Sequence, residues 1–126
     1  METSSTLAFR ALNFLAERFA VRFGSESLRI LSGEMEPVSG HPSGDPALPD
    51  TWIKLWGQSV ERTFEAGSSV ASEFLMLEGN WGDDGHVRLA EGLKRGLDID
   101  GDEVRDAWLY CLEKARRYSD PGAWSF

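Results

Sequence analysis

The sequence predicts an all-α protein that folds as a single domain with a four-helix bundle-like architecture. Apolar residues recur every three or four positions in four segments, as they do in helices that bury one face. No segment shows the strict alternation of apolar and polar residues that is typical of a half-buried strand. A chain of 126 residues has the usual size of one domain and can bury a core, so residues 1–126 are treated as one domain.

The first predicted helix begins in the Ser4–Thr6 cluster, whose hydroxyls can cap it, and ends near Phe23, where Gly24 can adopt a left-handed conformation. Apolar residues occupy two sides of this helix: Ala8, Leu12, Leu15, Phe19 and Phe23 with Phe9 at the edge, and Leu7, Phe14 and Val21 opposite. We expect a central helix buried between its neighbours, although the same pattern is compatible with a homodimer. The next segment, 25–32, fits either a short helix or an extended piece.

Residues 33–49 are predicted to form a long loop between the first two helices. Four of the five prolines lie in this segment, together with several glycines, which argues against a regular element. We expect a flexible crossover over the bundle.

The second predicted helix is capped by Asp50 and runs from Thr51 to about Glu78. Its apolar seam follows spacings of three and four: Trp52, Trp56, Val60, Thr63, Gly67, Val70, Phe74 and Leu77. The weak point is 66–69, where a serine could instead cap a separate helix. Because the seam stays in phase, we favour one continuous or slightly kinked helix, in which the small residues let another helix approach closely.

The third and fourth predicted helices follow a turn at 79–85. Asp84 is the expected cap of a short helix that runs from Gly85 to about Arg95. The last helix is predicted from about Gly101 to Tyr118. Its apolar stripe consists of Val104, Ala107, Trp108, Cys111, Leu112, Ala115 and Tyr118.

The acidic run before the last helix supports an alternative function, that of a divalent-metal-binding domain or a metal-dependent hydrolase. The candidate ligands are Asp98, Asp100, Asp102, Glu103 and Asp106. An EF-hand that starts at Asp98 fails, because position 6 is Glu103 rather than Gly and position 12 is Leu109 rather than Glu. The run fits a helix start better, with Asp100 as N-cap and Glu103 reaching back from the first turn.

The remaining reactive residues match no catalytic motif. The two histidines are not spaced as zinc ligands, and the single Cys111 has no partner cysteine. Cys111 lies on an apolar stripe, so we expect a buried, inert thiol. His86 follows Asp83 and Asp84, and we expect it to lie in a solvated helix start. No cofactor is expected, and an enzyme is the less favoured interpretation.

The charge balance favours a protein partner. The chain has 21 acidic and 13 basic residues, a formal net charge of −8. Such a surface repels phosphate groups, so we expect no nucleic-acid or membrane binding, whereas a basic protein fits the charge. The first residues lack the features of a secretory signal, and no segment reaches the ~18 apolar residues of a membrane span. The expected location is therefore the cytoplasm.

The leading hypothesis is a non-enzymatic module that binds a protein partner, as an immunity or inhibitor protein, an adaptor or a chaperone does. An acidic protein can bind a basic surface by electrostatic complementarity. Two tryptophans lie outside the predicted helices and are candidate contacts, because Trp is enriched at interface hot spots; each could instead fold back over the bundle end. The predicted partner-binding residues are Trp81, Asp83, Asp84, Asp98, Asp100, Asp102 and Trp124.

Overall fold

Helices make up nearly all of the described structure, a computed structural model that describes residues 5–37, 43–58, 64–95, 98–99 and 102–117. The elements are α1 (Ser5–Phe23), α2 (Glu26–Met35), α3 (Ala47–Gln58), α4 (Phe64–Glu78), α5 (Gly85–Arg95), β1 (Asp98–Ile99), β2 (Asp102–Glu103) and α6 (Val104–Arg116). The two-residue strands pair antiparallel, with Asp98 opposite Glu103 and Ile99 opposite Asp102. The all-α prediction is confirmed, but the described residues form six helices rather than the four predicted.

Helix α1 lies at the centre of the protein and packs against each of the other five helices. Every residue from Thr6 to Asn13 is buried, so all sides of this stretch are covered. The prediction of a central helix is therefore confirmed. Its last turn is less covered, since Val21 is exposed.

Gly24 ends α1 in the predicted way. Its φ of +62° is left-handed, and the amide of the next residue, Ser25, donates to the carbonyl of Ala20 at 2.9 Å. The Ser25 hydroxyl then accepts the Leu28 amide at 3.1 Å and caps α2. The ambiguous segment after Gly24 is thus helical, and it continues to Met35.

The predicted loop is shorter than 33–49, because both of its ends are helical. α2 includes residues 33–35, and α3 begins at Ala47, so Asp50 is not the cap. Asp45 takes that place: its carboxylate accepts the Ala47 amide at 3.0 Å, and its carbonyl accepts the Leu48 amide at 3.1 Å. Pro49 is tolerated in this first turn, where amides have no acceptor within the helix. Residues 38–42 lie outside the described part.

The prediction of one helix over residues 51–78 is wrong. The rings of Trp52 and Phe74 have their centroids 5.4 Å apart, and the Thr51 hydroxyl lies 3.2 Å from a carboxylate oxygen of Glu78. A continuous helix would separate residues 52 and 74 by about 33 Å along its axis. α3 and α4 instead pack against each other as separate helices, and residues 59–63 between them lie outside the described part.

Aromatic rings join α1, α3 and α4. Phe9, Trp52 and Phe74 contact one another edge to face, with centroids 5.4–5.9 Å apart. Trp52 is fully buried, and its indole N–H donates to the Ser5 carbonyl at 2.8 Å. Residues 66–69, the predicted weak point, lie within α4 rather than at a helix break. A Cβ added to Gly67 would lie 3.2 Å from the Trp108 ring of α6, so the two helices approach closely here. The predicted close approach at these small residues is confirmed.

Helix α6 packs against α1 and runs antiparallel to it. The Lys114 ammonium lies 4.4 Å from the centre of the Phe14 ring, and the Arg18 guanidinium lies 5.9 Å from that of Tyr110. The predicted stripe from Val104 to Ala115 is buried. The helix begins after Glu103, so the predicted capping role of Glu103 in its first turn is wrong.

Among the described residues, no helix combines the length and the apolar character that crossing a membrane requires.

Candidate partner-binding site

The turn between α4 and α5 is held by one carboxylate, that of Asp83. One carboxylate oxygen accepts the Ser25 hydroxyl at 2.6 Å and the Gly85 amide at 2.9 Å. The other accepts the Ser27 amide at 3.0 Å. Ser25 and Ser27 lie at the start of α2, and Gly85 is the first residue of α5. Asp83 therefore joins the N-termini of two helices that are more than 50 residues apart in the chain.

The charge of Asp83 is stabilised in this position. The first amides of a helix lack acceptors within it, and the helix dipole places partial positive charge there, so a carboxylate shared by two N-termini is favoured twice. The donors lower the pKa of Asp83 from its ordinary value of 3.8 to about 2, and the Ser25 hydroxyl is the largest cause. These hydrogen bonds give Asp83 a role in the fold, and its contact with a partner stays a prediction.

Two glycines at the ends of the turn allow the close packing around it. A Cβ on Gly79 would lie 2.7 Å from both the His86 Cβ and the Leu75 carbonyl oxygen. A Cβ on Gly85 would lie 2.6 Å from the Ser25 Cβ. His86 is buried against Gly79, so the expectation of a solvated histidine at this helix start is wrong.

Trp81 lies in the same turn, held at two points. Its backbone amide donates to the Ser27 hydroxyl at 3.0 Å, and its indole N–H donates to the carbonyl of Glu78, the last residue of α4, at 3.1 Å. The indole thus supplies a partner to one of the carbonyls left over at the helix end. The side chain still exposes 51% of its surface. The ring folds back onto the helix end, as one of the two sequence interpretations expects, and about half of it faces solvent; its contact with a partner stays a prediction.

Two further apolar side chains are exposed in the last turn of α4. Met76 exposes 51% and Leu77 exposes 63% of its surface. We call Met76, Leu77 and Trp81 the Trp81 patch. The carboxylate of Glu73 lies on the same face of α4, because residues three and four apart share a face, and the exposed Asp84 follows the turn. The patch is therefore apolar with acidic neighbours.

Asp84 stands at the predicted cap position, since α5 begins at the next residue. Its main-chain carbonyl accepts the amides of Val87 and Arg88 at 3.0 and 3.1 Å. The neighbouring Asp83 supplies the side-chain oxygen that accepts a first-turn amide. The Asp84 side chain is left exposed.

Asp98 and Asp102, two further predicted site residues, are not brought to this turn. Asp98 and Asp102 lie in β1 and β2, beyond the far end of α5, which is about 16 Å long. Asp100 and Trp124 lie outside the described residues, as do the side chains of Asp98, Asp102 and Glu103. Asp106 is exposed on the first turn of α6. Among the residues that the structure describes, the candidate site therefore consists of the turn at 79–85 and the neighbouring face of α4.

The metal alternative stays a prediction. In the part of the chain that the structure describes, no group of three or more His, Cys, Asp or Glu residues is placed to hold a metal ion. Of the proposed ligands, Asp100 and the side chains of Asp98, Asp102 and Glu103 lie outside that part. Cys111 is buried as expected, and burial raises the pKa of its thiol to about 11, so little thiolate forms at neutral pH.

Sequence reasoning missed four residues of this region. Ser25 and Ser27 were part of an ambiguous segment, Met76 carried no signal, and Leu77 was assigned to a buried seam. A Ser-x-Ser pair after a helix-ending glycine is a helix-start signal that could have identified Ser25. Nothing local indicates that Ser27 would meet Trp81 and Asp83.

Comparison with protein-family models, with curated proteins and with solved structures finds no match to this chain. The arrangement of side chains around Trp81 is therefore the basis on which a function can be assigned.

Proposed function

We propose that this protein is a non-enzymatic binding module that docks a basic protein partner through the Trp81 patch, as an inhibitor, immunity or adaptor protein does. The observation that carries the proposal is the presentation of Trp81. Trp81 is half exposed, and both its main-chain amide and its indole N–H donate hydrogen bonds within the protein. The orientation of the exposed ring is therefore fixed before any partner binds.

The fixed orientation of Trp81 matters energetically. A side chain that is already ordered loses less conformational entropy when a partner covers it, so more of the burial energy is available for binding. Tryptophan is also among the residues most enriched at interface hot spots. Met76 and Leu77, in the last turn of α4, add exposed apolar surface.

The charge of the partner follows from the charge around the patch. The exposed Glu73 shares a face of α4 with Met76 and Leu77, the exposed Asp84 follows the turn, and the whole chain carries a formal net charge of −8. Opposite charges across an interface speed association and weaken as salt is added. A basic partner is therefore favoured, and we place this encounter in the cytoplasm.

The test is affinity isolation from the native host with three baits: the wild-type protein, Trp81→Ala and Tyr110→Ala. Tyr110 is the matched control, because it is an aromatic residue of similar exposure, 60%, in α6 rather than in the turn. We expect a stoichiometric basic protein with the wild type and with Tyr110→Ala, lost with Trp81→Ala and released by added salt. Equal recovery with all three baits would contradict the proposal.

A further inference from the structure

A groove of about 480 Å³ runs between α4 and α5 and begins at Met76, a member of the Trp81 patch. From Ser69 to Met76 it extends along α4 for about 10 Å, which is two helical turns. The residues that decide its chemistry are Ser72, Glu73, Met76, Val87, Ala90 and Glu91. Met76 therefore belongs both to the groove and to the Trp81 patch.

The floor of this groove is largely apolar. The Ser72 hydroxyl donates to the Ala90 carbonyl at 2.7 Å, so these two polar groups already satisfy each other across the two helices. Met76, Val87 and Ala90 contribute carbon atoms to the lining. Such a floor suits an aliphatic chain better than a polar or charged group.

The rim carries two carboxylates on facing helices. Glu73 on α4 and Glu91 on α5 are both exposed, and neither makes an ion pair or hydrogen bond with the described residues. Lys94, one turn beyond Glu91, lines the same groove and offsets one of the two negative charges. The end nearest the Trp81 patch, between Glu73 and Met76, has no basic lining residue in the described part.

We infer that the groove receives an arginine or lysine side chain from an amphipathic segment of the basic partner, an inference that rests on the proposed function. The aliphatic stem of such a side chain covers apolar surface while its charged head stays at the rim. At this rim the head lies within reach of Glu73 and Glu91 and forms charge-assisted hydrogen bonds. An apolar residue of the same segment then covers Trp81.

The experiment uses two synthetic helical peptides with the same leucine pattern, one with arginine and one with glutamine at the polar positions. Binding to the full chain is measured by calorimetry at low and high salt. The groove variant is Glu73→Gln with Glu91→Gln. The control is Glu17→Gln with Asp106→Asn, which removes two exposed acids from α1 and α6 instead.

We expect the arginine peptide to bind the wild type and the glutamine peptide to bind at least about tenfold more weakly. The groove variant should weaken arginine-peptide binding by about tenfold, and the control by less than about twofold. Equal effects of the two variants, equal binding of the two peptides, or no binding of the arginine peptide would overturn the inference. Circular dichroism of each variant checks that the fold is intact.

Trp81→Ala, measured in parallel, separates this inference from the proposed function. Normal binding by the groove variant together with loss of binding by Trp81→Ala would overturn the groove assignment and leave the anchor role of Trp81 standing. The reverse result would retain the groove and remove the anchor. Sedimentation of the protein alone tests a different occupant of the groove. If the wild type self-associates and the groove variant does not, a second copy of the chain occupies the groove, and the inference is overturned.

Discussion

Two tryptophans, Trp52 in α3 and Trp81 in the turn after α4, each donate an indole N–H to a main-chain carbonyl. The distances are similar, 2.8 Å to Ser5 and 3.1 Å to Glu78. Their surroundings differ, because Trp52 is fully buried among aromatic rings and Trp81 exposes 51% of its surface. The same hydrogen bond thus accompanies burial in one case and exposure in the other.

The difference separates two uses of tryptophan. At Trp52 the bond satisfies a polar atom that burial would otherwise leave without a partner, and the free energy comes from the covered ring. At Trp81 the bond fixes the direction of a ring that the fold leaves uncovered. A covered ring stabilises the protein, whereas an oriented, uncovered ring has its surface available to a partner.

The largest expected effect is on stability, and it should distinguish these two residues. Trp52→Ala removes a fully buried ring and should lower the free energy of unfolding by about 3–5 kcal/mol. Trp81→Ala removes a half-exposed ring, and water can donate to the Glu78 carbonyl in place of the indole N–H. The loss in the free energy of unfolding should therefore be about 1 kcal/mol or less. Urea unfolding followed by circular dichroism measures both. Equal losses would mean that Trp81 is part of the core.

The next effect concerns the attachment of Trp81 to α2. Ser27 is fully buried, and its hydroxyl accepts the amides of Trp81 and Asp83 at 3.0 and 3.1 Å. Ser27→Ala leaves both donors without that acceptor and should cost about 2 kcal/mol. Hydrogen exchange of the two amides should accelerate. The exposed Ser69→Ala is the control, and an equally small effect of both changes would remove the proposed attachment.

Much of the fold could be predicted because its signals are local. Hydroxyls and Gly24 mark the ends of α1, and helical spacing identifies the buried side of α6. The break between α3 and α4 could not be predicted in this way. Spacings of three and four stay in phase across residues 59–63, and periodicity carries no information about whether the chain reverses direction.

The site was predicted only in part for a similar reason. Trp81 and Asp84 were identified because a large aromatic residue and an acid in a polar turn are recognisable from sequence. The role of Asp83 depends on Ser25 and Ser27, which lie 58 and 56 residues away. Two adjacent aspartates thus have different surroundings, and only the three-dimensional arrangement distinguishes them.

That pair of aspartates gives a prediction for acid unfolding. The pKa of Asp83 is lowered in the fold from 3.8 to about 2, so its charge stabilises the protein above pH 3.8 and this contribution is lost as the pH falls toward 2. Asp83→Asn should lower Tm at neutral pH, and the difference from wild type should shrink over that pH range. The matched control is Asp84→Asn, since the Asp84 side chain accepts none of these hydrogen bonds, and both variants are scanned from pH 5 to pH 2. Parallel behaviour of the two variants would contradict the assigned role.

The smallest expected effect is that of divalent ions. If the protein acts as a binding module, Ca²⁺ or Mg²⁺ at millimolar concentration should leave Tm unchanged relative to EDTA. Specific binding of an ion to the folded state would raise Tm with ion concentration. A rise that disappears in Asp98→Asn with Asp102→Asn would favour the metal alternative instead.

The anchor role of Trp81 is tested most directly by the affinity of the captured partner for wild-type protein and for Trp81→Ala, measured by calorimetry. We expect Trp81→Ala to weaken binding by about 30-fold, corresponding to about 2 kcal/mol at a hot spot, while Tm stays close to that of the wild type. An unchanged affinity, or a wild-type protein that captures no stoichiometric partner, would mean that Trp81 is not the anchor of a binding module.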